Sequence, residues 1–189
     1  MMKKITLLFL VFVSAVSFAQ QGILDSPQDV DKKQELKLNA FSLIAFSSLD
    51  ASYEYLLNKD SSFGVSVFYN FGSVDNDVYF PRKFSITPYY RWFFAESRFA
   101  RGFFVEGFGM LNTYEDEVFY YDQNNYREEI EKETGFALGI AVGGKFVIKS
   151  GFTAEISLGV GRNLFDNDRD DYIENSLVTR GGISLGYRF

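Results

Sequence analysis

The chain has 189 residues, a formal net charge of −6, and neither cysteine nor histidine. Disulfides, thiol chemistry, thiolate metal sites and every histidine-dependent mechanism are therefore excluded, and the acidic balance argues against a nucleic-acid partner. With 22 Phe and 12 Tyr, 19% of the chain is aromatic, which is high for a soluble domain but suits interface girdles of a membrane barrel.

Met1 to Lys4 is a short cationic start, Ile5 to Val16 an apolar run, and Ser17-Phe18-Ala19 a small-residue finish. That order reads as a secretory signal peptide over residues 1–19, too short to span a membrane as a helix. Cleavage is expected after Ala19, and no cysteine follows to make a lipoprotein. The remainder, about 170 residues, is one domain's length. Residues 20–34 are polar, contain Pro27, and read as a flexible periplasmic lead-in.

From Glu35 the pattern changes to a period of two, which places successive side chains on opposite faces of a strand. A first strand is expected over Glu35 to Ile44, with Leu36, Leu38 and Ala40 against Lys37 and Asn39. After a short link at Ser47-Ser48, Leu49 to Leu57 sets Leu49, Ala51, Tyr53 and Tyr55 against Asp50, Ser52 and Glu54. Asn58 to Ser61 is a polar turn, and Phe63 to Asn70 a third strand. A longer acidic link, Gly72 to Arg82, leads to a fourth strand over Lys83 to Phe94, in which Pro88 predicts a bulge or locally open pairing. A fifth strand starts near Arg101. The acidic, tyrosine-bearing stretch Glu115 to Glu133 reads as the longest link, before strands at Thr134 to Ile148 and Phe152 to Gly161. A last acidic link, Asp166 to Asn175, precedes the closing strand over Ser176 to Phe189. There Ile183, Leu185, Tyr187 and Phe189 alternate with Gly182, Ser184, Gly186 and Arg188.

These eight strands predict an all-β fold: an antiparallel up-and-down transmembrane β-barrel, its outside apolar and its inside small or charged. Links after strands two, four and six are short, whereas those after three, five and seven are long. This is the asymmetry of short periplasmic turns and longer outer loops. Only the link after the first strand is too short for the rule. Tyr187 and Phe189 form a candidate terminal signal for the barrel-insertion machinery.

The runs Lys37-Leu38-Asn39, Ser52-Tyr53-Glu54, Pro88-Tyr89-Tyr90-Arg91 and Gly186-Tyr187-Arg188-Phe189 resemble a family of small outer-membrane barrels of Bacteroidota. That family is catalogued mainly as a domain of unknown function and is similar in architecture to OmpA/OmpX-type barrels. The resemblance covers Glu35 to Phe189 and implies outer-membrane residence without defined catalytic residues.

On the expected inner face stand Glu54, Arg91, Glu106, Lys145, Glu155 and Arg180. An eight-stranded barrel is just wide enough for side chains to fill, so these read first as a plugging network of ion pairs. A gated path for water or small ions, or a catalytic carboxylate pair, are the sharper alternatives. Asp166, Asp168 and Asp170 alternate like a calcium loop, but Asp171 and Leu177 stand where Gly and Glu are required, so no metal site is assigned. No cofactor is expected either. Phe119, Tyr120, Tyr121 and Tyr126 make the longest link a candidate recognition surface or interface anchor. The expectation is a monomeric, non-enzymatic, integral outer-membrane protein in contact with lipid, serving envelope integrity or loop-mediated interaction. A narrow channel or small-molecule carrier and a soluble periplasmic lipocalin-like binder are the rivals.

Overall fold

The computed structural model describes residues 31–71, 82–94, 99–122, 125–164 and 177–189, with the backbone path alone for 115–122 and 125–131. The expected signal peptide, most of the lead-in, the link at 72–81, the turn at 95–98 and the acidic stretch with Asp166, Asp168 and Asp170 lie outside the described residues.

Eight strands pair antiparallel, each with its neighbours in sequence, and the last closes on the first. They are β1 (Gln34–Asn39), β2 (Ser48–Leu56), β3 (Ser61–Asn70), β4 (Arg82–Phe93), β5 (Gly102–Asp122), β6 (Asn125–Val147), β7 (Phe152–Asn163) and β8 (Leu177–Arg188). The barrel is all-antiparallel and up-and-down, as the alternation predicts. Gln34, placed in the lead-in by its polarity, pairs with Tyr55 and belongs to β1.

The first strand ends earlier than its apolar pattern suggests. It stops at Asn39, and Ala40–Phe46 forms a helix, α1, where Ala40 to Ile44 was expected to continue the strand. Asn39 caps it: the side-chain Oδ1 accepts from the backbone N–H of Ser42 at 3.2 Å. Ser47, with φ of 48°, ends it in the left-handed region. The link after β1 is therefore a helical connection rather than the two-residue turn expected at Ser47-Ser48.

The fifth link also differs. Glu115 to Glu133 is no open loop, because β5 and β6 continue their pairing through Asp122↔Asn125. β4 accompanies β5 only to Tyr114, and β7 accompanies β6 only from Ala137. Beyond those points the hairpin is, among the described residues, a two-stranded ribbon about 26 Å long, at 3.3 Å per residue.

Pro88 keeps its register with Val65 of β3. Pairing with β5 skips Thr87 and Pro88, then resumes unchanged at Tyr89↔Phe108, so the ladder opens locally at the residue without an N–H. The register shift lies elsewhere, between Arg82 and Phe84. It turns Arg82 inward beside the odd-numbered Ser85, Thr87 and Tyr89, although its even number would otherwise place it outside.

The two faces are inverted relative to a soluble barrel. Leu158 is 73% exposed and Ile140 65%, while Lys145, Glu54, Glu106 and Arg188 are each no more than 1% exposed. Inside, rings lie over glycines. A Cβ on Gly64 would strike the Tyr89 ring, one on Gly139 the Phe108 ring, and one on Gly143 the Phe104 ring. The alternation of glycine and aromatic residues across facing strands is thus what lets rings fit a narrow bore.

Candidate functional site

The interior is stacked in levels along the barrel axis. At the rim carrying the termini, the segment before β5 folds inward, and Phe99 and Ala100 pack with Leu56, Phe93 and Phe104 in an apolar stopper. Ala100 holds a φ of 43° in the left-handed region, and its N–H donates to Lys59 O at 2.8 Å. The guanidinium of Arg188 locks this stopper from above, donating to Phe99 O at 3.0 Å and Ala100 O at 2.8 Å.

Above it runs a continuous network of charges. Arg188 pairs with Glu35 at 2.6 Å, and Lys145 bridges Glu35 at 2.8 Å to Glu54 at 2.6 Å. Glu54 also accepts from Lys37, from Ser62 Oγ at 2.5 Å and from Arg91 at 2.9 Å. Lys37 reaches on to Glu155 at 3.0 Å. Arg91 is the hub. Its guanidinium donates to Glu106 at 2.7 Å, to both oxygens of Glu155 at 2.7 Å, and to Glu54, and it lies between the rings of Tyr89 at 4.6 Å and Phe104 at 4.3 Å. Arg180 extends the chain upward, donating through Nε to Glu106 and through Nη1 to Ser66 Oγ, each at 2.8 Å.

The six residues singled out from sequence, Glu54, Arg91, Glu106, Lys145, Glu155 and Arg180, all point into the bore and touch one another in this network. Three further members were not singled out: Glu35, Lys37 and Arg188. Lys37 alternates with outward Leu36 and Leu38, so the signal was there. Arg188 also alternates with the apolar series of the closing strand, so its face was legible, whereas Glu35 opens its strand with no apolar residue before it. Among the described residues the network holds four carboxylates, Glu35, Glu54, Glu106 and Glu155, against five cations. Each carboxylate accepts from at least two cations, which offsets its desolvation. No group of three or more potential ligands among the described residues is arranged to hold a metal ion.

A catalytic reading needs an open carboxylate with a neighbour able to move a proton, and the bore offers saturated carboxylates instead. Tyr187 stands outward, half exposed, on β8, and Phe189 closes the ladder by exchanging backbone hydrogen bonds with Gln34 at 3.1 and 2.8 Å. The terminal strand is thereby bound to the first.

Residues 6–180 match the family described as "Protein of unknown function (DUF3575)". The chain belongs to that family. Among curated proteins none matches the chain. Among solved structures, the chain is similar to the N-terminal β-barrel domain of Pseudomonas aeruginosa OprF, at 14% identity and a TM-score of 0.47, covering 84% of this chain and 98% of that one. It is similar to Neisserial surface protein A at 11% identity and a TM-score of 0.45, covering 83% and 95% of the two chains. Similarity to the Yersinia pestis outer membrane protein Ail is at 15% identity and a TM-score of 0.37, covering 84% and 99%. The fold assignment for this DUF3575 chain stands on its own strand pairing.

Proposed function

We propose that this protein is an integral outer-membrane barrel that contributes to envelope integrity as a closed, non-conducting, non-catalytic body and presents its β5–β6 ribbon outward. One observation carries the reading: the large apolar side chains face out around the whole barrel while charges fill the inside. On β7 the outward series Phe152, Ile156, Leu158 and Val160 is the kind of band that about 9–11 tilted residues need to cross a bilayer. Tyr53, Tyr55, Phe63, Trp92, Phe152 and Tyr187, all exposed, gather near the rim of the termini, where an interfacial aromatic girdle belongs. A soluble lipocalin-like barrel requires the opposite distribution.

The mechanism is physical rather than chemical. Lipid covers the outer face, the apolar stopper and the paired charges occupy the bore, and water finds no continuous path. Tyr187 and Phe189 on the closing strand are the residues we assign to recognition by the insertion machinery. The test is to refold the mature chain into micelles, run it unboiled and boiled on an SDS gel, and incorporate it into planar bilayers. A heat-dependent mobility shift with no discrete conductance steps is expected. Regular single-channel steps would overturn the closed reading, and a water-soluble monomer with no shift would overturn the membrane reading.

A further inference from the structure

The barrel wall is not uniformly closed by strands. β1 pairs with β8 only up to Asn39↔Ser184 and with β2 only up to Leu38↔Ala51. Above that level β8 from Leu177 to Ile183 pairs with β7 alone, and the seam between β8 and β2 is covered by α1, which touches both. Side chains take over the exposed edge of β8. Asn39 Nδ2 donates to Gly181 O at 3.0 Å and to Asp50 of β2 at 3.1 Å, and Arg82 donates to Thr179 O at 2.7 Å.

At this seam lies a hollow of about 670 Å³, within the usual range for small-molecule sites, lined by inward residues of the bore and also by the outward Phe103, Val142, Ile156, Leu158 and Ile183. Its lining includes three small residues, Gly143, Ser157 and Gly182, that stand in one row across β6, β7 and β8. Its inner wall is formed by Ser66, Phe68, Ser85, Thr87 and Met110 with three charged side chains, Arg180, Arg82 and Asp50. Thr87 is 1% exposed, and its Oγ1 has no hydrogen-bond partner. Arg180 uses Nε and Nη1, while Nη2 has no partner among the described residues. A buried hydroxyl and a guanidinium edge are thus both left for something to bind. The mouth, by contrast, is apolar: Phe41 and Phe46 of α1 line it, ring edge against ring face at 5.5 Å, and Phe41, Leu43 and Ile44 of the helix lie exposed.

We propose that this cavity binds one single-chain anionic amphiphile, its headgroup held by Arg180 Nη2 and Thr87 Oγ1 and its alkyl chain leaving between β2 and β8 past Phe41 and Phe46. The polar groups lie deepest and the rings lie at the exit, so an alkyl carboxylate or alkyl phosphate matches both ends. The charged groups lining the cavity among the described residues, Arg82 and Arg180 against Asp50, favour an anion over a cation. Entry from the side rests on the membrane reading above, whereas binding in the cavity does not.

The experiment is native mass spectrometry of the refolded mature chain in neutral detergent, with tetradecanoic acid, tetradecyl phosphate and tetradecyltrimethylammonium as probes. The heat-dependent gel shift of each sample reports the barrel itself, so loss of the fold and loss of the site are separable. One equivalent of an anionic probe is expected, and none of the cation. The carboxylate and phosphate arms identify the preferred headgroup. Ser85→Trp, which fills the cavity, should abolish binding, Arg180→Gln should weaken it at least tenfold, and Thr87→Val should weaken it several-fold. Retention of the cationic probe equal to the anions, loading beyond one equivalent without saturation, or binding unchanged by Ser85→Trp would each overturn the proposal. Should Arg180→Gln fail to fold, Ser85→Trp and Thr87→Val decide the matter alone.

Discussion

Arg91→Met is the sharpest perturbation of the interior. It removes four charge-assisted hydrogen bonds of 2.7 to 2.9 Å, to Glu54, Glu106 and both oxygens of Glu155. Methionine keeps an apolar stem between the rings of Tyr89 and Phe104, so packing is largely preserved and the loss is electrostatic. No carboxylate becomes wholly unpaired. Glu155 keeps Lys37, Glu54 keeps Lys37 and Lys145, and Glu106 keeps Arg180. The expected cost therefore sits at the low end for breaking a buried pair, about 3 kcal/mol, or more than a hundredfold in the unfolding equilibrium. The assay is urea unfolding in micelles followed by the fluorescence of Trp92, the chain's single tryptophan. A double-mutant cycle with Glu155→Gln should show coupling of at least about 1 kcal/mol, because the two side chains share two hydrogen bonds. Lys59→Met, at a site 60% exposed, is the control and should shift stability by less than about 0.5 kcal/mol. An Arg91→Met loss no larger than that control, or strict additivity with Glu155→Gln, would refute the view of Arg91 as the hub.

Asn39→Ala removes the cap of α1 and the bridge from Gly181 to Asp50 together; a loss of about 1–2 kcal/mol is expected, with faster amide exchange over residues 40–46 than elsewhere in the barrel. Gly64→Ala sets a Cβ 2.7 Å from Tyr53 O and against the Tyr89 ring, so a loss of about 1–3 kcal/mol is expected. Gly144→Ala meets nothing within 4 Å and should be neutral or slightly stabilising in the same urea assay. Deleting residues 115–132 and rejoining the hairpin should leave the heat-dependent gel shift intact, since among the described residues their backbone ladder joins β5 and β6 alone.

Much of this architecture was legible because a barrel with an apolar outer face and a largely polar or small inner face repeats every two residues along most of its strands. The pairs Ile183/Gly182 and Leu185/Ser184 show their faces directly, and so do Glu54, Lys145 and Glu155 among apolar neighbours. Two features escaped for opposite reasons. Phe41, Leu43 and Ile44 continue an apolar pattern through residues that are helical, and the decisive signal was Asn39, an N-cap residue set before a run able to form a helix. Glu115 to Glu133 has no alternation of apolar and polar residues to mark a strand, so its paired strands read as a loop. Arg188 stood on the polar face of the closing strand and was legible there, whereas Glu35 opens its strand with no apolar residue before it to set a face. The cavity was out of reach altogether, since side chains of α1, β2, β3, β4 and β8 meet around it only through register and closure.

The central claim is that the apolar outer face lies in lipid, and Trp92 reports on it directly because its ring stands outward and half exposed near the rim of the termini. We would reconstitute the mature chain into phosphatidylcholine vesicles carrying bromine at different depths along the acyl chain and record tryptophan quenching. The account expects strong quenching, greatest for bromines near the headgroups and falling toward the bilayer centre. Fluorescence indifferent to bromine at every depth, with full quenching by aqueous iodide, would contradict it.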